Sequence, residues 1–339
     1  MPTLKDVLSK IRNQYGEEID RKDYANPKRI PSGVLVFDIL TGGGIPLHKY
    51  TTIWGAKSSG KTTQSWRIIN NFLNLYPDMF VAYIDFEDSF DSTWAANFIE
   101  QKNFDRIVHI LPAYGEEGVD VAIKLLEADE VGFLFVDSLA MMVPTVDAEK
   151  SATEESVGLL AKLVNKLIRK TLPKLIESKR TNKPLTYLFL NQITTAVGEK
   201  SFFGTPVRKP GGKLQDFITS LDIRCYAKDY HKESGIPIKV KYQFNIEKSK
   251  IAGALEKRTG EFEMYRIAAD NRPAGYVDDA PFAVSLLKKS NILTKENGVW
   301  RINDFTAKTL ADVSDNKPML DEGLRIFYSD IQKYAEKCI

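Results

Sequence analysis

An α/β fold, with a mostly parallel sheet covered by helices on both faces, is predicted from three observations. Short apolar runs alternate with helical stretches through the first two-thirds of the chain, as in successive βαβ units. A glycine-bearing loop joins one of these runs directly to a helix. After Leu221 the alternation stops and three strand-like stretches follow without helices between them, which predicts an antiparallel extension of the same sheet.

Each element has its own signal. Leu4, Val7, Leu8, Ile11 and Tyr15 fall at helical spacing, with Thr3 and Asp6 placed as a capping box and Gly16 as the stop, so residues 3–15 form a short amino-terminal helix with one apolar stripe. Glu17 to Gly33 is rich in charge, Pro and Gly and reads as a linker. Strands are expected at Tyr50–Trp54, Phe80–Phe86, Arg106–Leu111, Gly132–Asp137 and Leu185–Asn191, and helices near 62–75, 91–101, 116–128 and 156–179. The later strands lie at 221–227, 237–247 and 261–267. A helix at 278–290, a turn at Asn297-Gly298 and a last helix at 318–336 predict a small separate carboxyl-terminal α/β domain. The divisions are residues 1–30, 31–268 and 269–339.

The 339 residues suffice for two domains, and 43% hydrophobic content is that of a globular protein. Lys+Arg (47) and Asp+Glu (45) nearly cancel, so bulk charge does not predict a nucleic-acid partner, and any such case rests on where the charge sits. Cys225 and Cys338 are far apart and form no metal or redox motif, which fits a reducing interior. The first residues lack the apolar run of a signal peptide, and no 18-residue apolar stretch occurs. The expectation is a soluble, cytoplasmic protein without membrane partners.

Gly55-Ala56-Lys57-Ser58-Ser59-Gly60-Lys61-Thr62 fits GxxxxGK[ST] in full, between an expected strand and an expected helix, with Thr63 following. Backbone N–H groups of such a loop point at phosphates, the lysine reaches the β- and γ-phosphates, and the Thr62 hydroxyl ligates Mg²⁺. ATP and Mg²⁺ are therefore the expected ligands. Asp137 ends the apolar run Gly132–Val136, where open α/β sheets place ligands, and suits the same cation. Hydrolysis also needs a group to orient water, and the run Phe80–Ile84 delivers Asp85, Glu87 and Asp88 to that edge. Composition does not choose among the three.

Thr195–Lys213 is a long stretch without helix or strand signals, carrying Lys200, Arg208, Lys209 and Lys213 with Phe202 and Phe203. Basic groups interleaved with aromatics suit single-stranded DNA, through phosphate neutralisation and stacking between bases. A linker is the plainer alternative.

These motifs, with Ile30-Pro31-Ser32-Gly33, Phe37-Asp38-Ile39-Leu40, Gly42-Gly43-Gly44-Ile45-Pro46, Tyr83-Ile84-Asp85-Phe86-Glu87, Phe135-Val136-Asp137-Ser138 and Leu190-Asn191-Gln192-Ile193, occur in the order and spacing of the RecA family, which the chain resembles nearly end to end. Divergence between the motifs suggests a phage or mobile-element member. The resemblance implies a RecA-like ATPase core that forms a helical filament on single-stranded DNA and pairs it with homologous duplex. It further implies that Glu87 activates water, that Gln192 senses the γ-phosphate, and that Asp91 and Trp94 contact adenine. The family has Tyr where Trp94 stands, and core packing is the other reading of that residue.

By the same resemblance, Lys248 and Lys250 reach the ATP of the adjacent subunit, and helix 3–15 docks on the neighbouring protomer; a solvated lysine pair is the bland alternative. Residues 195–213 correspond to the second DNA-binding loop, with Gly211 and Gly212 in register, and Asp147–Gly158 to the first, here unusually acidic. Lys162 and Arg169 share one face of the following helix, where the family binds phosphates. Lys239, Lys241, Gln243 and Asn245 share a strand face, neutral at the last two positions, which shifts duplex capture toward the lysines. Accessory single-strand-binding or mediator proteins are further partners. A ring-forming helicase motor, a non-hydrolysing recombination mediator and a metabolic P-loop kinase are the rivals, and the kinase leaves 195–213 unexplained.

Overall fold

The computed structural model describes residues 2–16, Ile19, 27–149, 158–195 and 207–329. Helix α1 (Leu4–Tyr15) carries the expected capping box: the Asp6 N–H donates to Thr3 Oγ1 at 3.3 Å and the Thr3 N–H to Asp6 Oδ2 at 2.9 Å. None of its residues is buried, so its apolar stripe is uncovered by the described chain.

The end of the expected linker forms a strand. Arg29–Ile30 pairs antiparallel with Ile45–Pro46, and Ile30 is fully buried. Between them lies α2 (Leu35–Thr41), closed by Gly42 in the left-handed region. All seven residues of α2 are buried, so it shows no polar face and no amphipathic period announces it.

The central sheet has eight strands: β1 (Tyr50–Gly55), β2 (Phe80–Asp85), β3 (Ile107–Ile110), β4 (Val131–Asp137), β5 (Thr186–Gln192), β6 (Leu221–Glu233), β7 (Ile236–Ser249) and β8 (Thr259–Tyr265). Their spatial order is β8-β7-β6-β1-β5-β4-β2-β3. The β1–β6 pairing is parallel, and the antiparallel extension begins at β6–β7. Helices α3 (Lys61–Leu75), α6 (Gly115–Leu125) and α8 (Leu159–Thr181) cover the two faces.

Strand alternation decides which residue meets which helix. Phe133 and Phe135 pack with Trp66, Ile69 and Phe72 of α3 on one face, while Leu134 and Val136 pack with Val119 of α6 and Val164, Leu167 and Ile168 of α8 on the other. The helix expected over 91–101 is instead two short pieces, α4 (Ser92–Ala95) and α5 (Gln101–Phe104). Glu100 is extended between them, its N–H donating to Asn70 Oδ1 on α3 at 3.0 Å.

Short helices α7 (Thr145–Glu149) and α9 (Leu214–Ile218) flank α8 in sequence. Beyond β8 come α10 (Ala280–Lys289), a three-stranded sheet of β9 (Thr294–Glu296), β10 (Val299–Ile302) and β11 (Phe305–Ala307), then α11 (Leu310–Asp315) and α12 (Lys317–Ser329). Asn297 and Gly298 both have positive φ, as a two-residue hairpin turn requires. These elements share a core of their own into which α2 inserts Leu35 and Ile39. Of the last helix expected at 318–336, the part beyond Ser329 lies outside the described residues. Among the described residues no helix is long and apolar enough to cross a membrane.

Candidate functional site

The carboxyl ends of β1, β4 and β5 open onto a cavity of about 450 Å³ lined by Lys57–Thr63, Glu87, Asp137, Gln192, Tyr242 and Arg266. Its floor is the loop Gly55–Gly60, which turns into α3 with Gly60 in the left-handed region at φ +83°. A Cβ at Gly60 would lie 2.8 Å from the Tyr242 ring, so both backbone conformation and space demand glycine. The Lys61 ammonium folds back over its own loop, donating to the carbonyls of Gly55 at 3.1 Å and Ala56 at 2.9 Å. Burial lowers its pKa, opposed by Cys225, Asp137 and Glu87.

Thr62 Oγ1 donates to Asp137 Oδ2 at 2.8 Å. Burial, followed by the Glu87 carboxylate, pushes Asp137 up to about 7. A hydroxyl and a nearly inaccessible carboxylate set together at the start of α3 fit a hard cation that keeps water and phosphate as its other ligands. The buried Ser59 hydroxyl lacks a hydrogen-bond partner in the described structure, a donor left over in the same loop. The residues present thus fit Mg²⁺ and a polyphosphate.

The three acids after β2 are separated by geometry. Asp85 is buried and accepts the N–H groups of Glu87, Ser89 and Phe90, so its carboxylate shapes the loop. Asp88 is exposed, in the left-handed region. Glu87 alone of the three lines the cavity; its Oε1 accepts from the Ser138 hydroxyl and, at 2.8 Å, from Gln192 Nε2. Beside Gln192, Asn191 Nδ2 donates to Pro210 O at 3.0 Å and Gln215 Oε1 at 2.8 Å. The strand end holding Gln192 therefore grips the far end of the 195–213 segment, through a residue whose role had no sequence signal beyond its neighbour.

Asp91 is spent on local structure, capping α4 through the N–H groups of Thr93 and Trp94. The Trp94 indole sits at the cavity end of α3, with Nε1 3.3 Å from Thr63 Oγ1. Tyr242 and Arg266 were not anticipated. They arrive from the antiparallel extension, about 180 and about 205 residues beyond the loop, and the available signal was a basic residue directly after a strand. Lys248 and Lys250 do not line this cavity; they converge on the end of α9, donating to the carbonyls of Asp216 and Phe217.

Of the loop residues expected to meet DNA, Lys200, Phe202 and Phe203 lie outside the described residues, as do 150–157 of the first loop. Arg208 and Lys213 are exposed, and so are Lys162 and Arg169 on α8. Lys209 is a correction. Its side chain is only 7% exposed, its ammonium is paired with Asp216 at 2.8 Å and with Asp222, and it lies 5.3 Å from the Trp54 ring centroid. A cation already spent on two carboxylates has no free face for a phosphate, so it pins the loop end instead.

Gly211 and Gly212 have positive φ, and a Cβ on either would come within about 3 Å of Val164 or Ala161 of α8, so their place is set by close packing. On β7, Lys239 pairs with Asp270 at 3.3 Å and Lys241 with Glu261 at 2.8 Å, while Gln243 donates to Asn245 at 3.2 Å.

A family model described as the RecA N-terminal domain matches residues 2–266. Protein RecA of Mesoplasma florum is 30% identical over 254 residues, covering 74% of this chain and 73% of that protein. Protein RecA of Mycoplasma mobile is 27% identical over 337 residues, covering 97% and 94%. The crystal structure of the RadB recombinase superposes on 69% of this chain and 96% of that one, with a TM-score of 0.49 and 16% identity.

Proposed function

The chain belongs to the RecA family, and on that premise we propose that it is an ATP-dependent DNA recombinase, a DNA-stimulated ATPase that forms a helical filament on single-stranded DNA and drives pairing and strand exchange with duplex. The observation that carries this reading is the chain of contacts Glu87–Gln192, Asn191–Pro210 and Asn191–Gln215, which links a polyphosphate cavity to the segment proposed to hold DNA.

In the proposed cycle the loop amides from Gly55 to Thr63 and the Lys61 ammonium hold the triphosphate. Thr62 and Asp137 would hold Mg²⁺, which would supply charge neutralisation on the β- and γ-phosphates. Lys61 first leaves the carbonyls of Gly55 and Ala56. Glu87 takes a proton from water as its oxygen attacks the γ-phosphorus, and ADP departs. Gln192 bonds the same carboxylate that water requires, so its position reports the γ-phosphate to β5 and, through Asn191, to the DNA segment. Arg208, Lys213, Lys162 and Arg169 meet DNA phosphates together with Lys200, Phe202 and Phe203.

Lys248 and Lys250 serve the nucleotide of the adjacent protomer, where they neutralise charge growing on the γ-phosphate. The uncovered stripe of α1 docks on that neighbour, so residues 1–30 are the assembly segment, 31–268 the motor and 269–339 an appended domain. An open head-to-tail contact of this kind builds filaments, not closed rings.

ATP hydrolysis measured with and without single-stranded DNA, beside Lys61→Ala, tests the proposal. Stimulation abolished by the substitution supports it and leads to strand-exchange assays. DNA-independent turnover opposes it, and absent turnover assigns the chain to the mediators.

A further inference from the structure

The Arg266 side chain is a cation on the wall of the nucleotide cavity that phosphate chemistry does not need. It follows β8, and its own N–H is fixed to Ile238 O at 2.8 Å, so the backbone is anchored, while the exposed side chain hydrogen-bonds the Tyr242 hydroxyl and can exchange that bond as it moves. Among the described residues no carboxylate pairs with it. Its guanidinium lies 5.0 Å from the centroid of the Trp94 ring. That ring is itself a fixed platform, held by its bond to Thr63 and by an edge contact with Phe98 at 5.2 Å. Tyr242 stands between Gly60 of the phosphate loop and Arg266 and completes the wall on that side.

Geometry decides which part of a nucleotide this cation meets. The loop amides and Lys61 already face the phosphates, whereas Arg266 is held against an aromatic face beside Thr63, past the residues that take the phosphates. A planar base stacks at about 3.5 Å from each neighbour, so a base between indole and guanidinium needs about 7 Å between those two planes. At 5.0 Å the guanidinium now occupies the layer a base would take. It must rise by at least about 2 Å to admit one, a movement within reach of an exposed arginine on a fixed backbone.

We propose that Arg266 is a specificity-determining residue of the nucleotide site, which swings off Trp94 and closes over the base, so that the base is clamped between the Trp94 indole and the Arg266 guanidinium. This inference rests on the nucleotide-binding reading above. A guanidinium suits the role because it is planar, permanently charged and weakly hydrated, and stacks on π faces; an ammonium of equal charge does not.

Calorimetric titration with Mg·ATP and with Mg·tripolyphosphate, which has neither base nor ribose, separates the contributions. For Arg266→Ala, ATP affinity falls about tenfold while tripolyphosphate affinity stays within about twofold, the size of one cation–π stack. Arg266→Lys stays as weak as Arg266→Ala. ATP binding as tight as wild type, or tighter, overturns the clamp and leaves Arg266 a placeholder. Equal losses for both ligands assign the guanidinium to phosphate, and recovery in Arg266→Lys removes the stacking claim. Wild-type protein that binds no ATP, or binds it equally well as Lys61→Ala, overturns the nucleotide reading itself and with it the clamp.

Discussion

His109 Nε2 lies 3.1 Å from Asp85 Oδ2, a carboxylate that also accepts the N–H groups of Glu87, Ser89 and Phe90. The imidazole is held flat against Tyr83, with ring centroids 4.8 Å apart and planes 20° apart. It therefore steadies, from β3, the turn that aims Glu87 into the cavity. Removing it leaves a buried acceptor one donor short. His109→Ala is expected to lower kcat for ATP hydrolysis about fivefold, the effect of about 1 kcal/mol, with KM little changed. His109→Gln, which keeps a donor, recovers part of the loss. A change confined to KM would place the effect in binding and not in the aim of Glu87.

Glu87 Oε1 accepts from both Ser138 and Gln192; a glutamine amide keeps an oxygen to accept those bonds but has no carboxylate to take a proton from water. Glu87→Gln is expected to cut turnover by about 10²–10⁴-fold, the range of a lost general base, while ATP binding persists. Steady-state hydrolysis beside calorimetry separates the two. Turnover near wild type in this variant would move water activation to another group.

Lys209 and Arg208 are adjacent in sequence and opposite in circumstance. Losing Lys209 strands the buried Asp222, so Lys209→Ala is expected to lower stability by on the order of 3–5 kcal/mol, read as a fall in Tm. Arg208→Ala and Lys213→Ala leave Tm unchanged and each lower the salt dependence of single-stranded DNA binding by about one counterion. A Lys209→Ala protein of wild-type stability with a reduced salt slope would return Lys209 to the DNA surface.

The junction of the core with the carboxyl-terminal elements carries a pH signature. Asp279 Oδ2 accepts the Leu35 N–H at the start of α2, at 2.9 Å. Burial pushes Asp279 up to about 6, from an ordinary value of 3.8. The folded state then holds the proton more tightly than the unfolded chain does. The stability this group contributes is highest below its unfolded value and falls as pH rises through the window from about 4 to about 6. Asp279→Asn keeps an acceptor for Leu35 without the charge. Its Tm relative to wild type should rise across that window and level off above it, and a flat difference between pH 4 and 8 would count against this assignment.

What a sequence declares by itself is what neighbouring residues settle among themselves. The phosphate loop, the acid ending β4 and the capping box of α1 are such features, because glycine conformations, strand ends and helix ends are decided within a few residues. The alternation of strands and helices is equally legible, since each strand must show apolar residues to both covered faces. The choice of Glu87 over Asp85 and Asp88 was not legible, because it turns on His109 and on which carboxylate the turn consumes. Nor was the burial of Lys209, whose partner Asp222 belongs to a strand laid beside the phosphate-loop strand only in the folded sheet. Tyr242 and Arg266 join the cavity for the same reason: the antiparallel extension carries them there, and no local spacing marks where a strand's end will come to rest. Tertiary packing decided these, because the burial and pairing of a charge depend on what the rest of the chain places beside it.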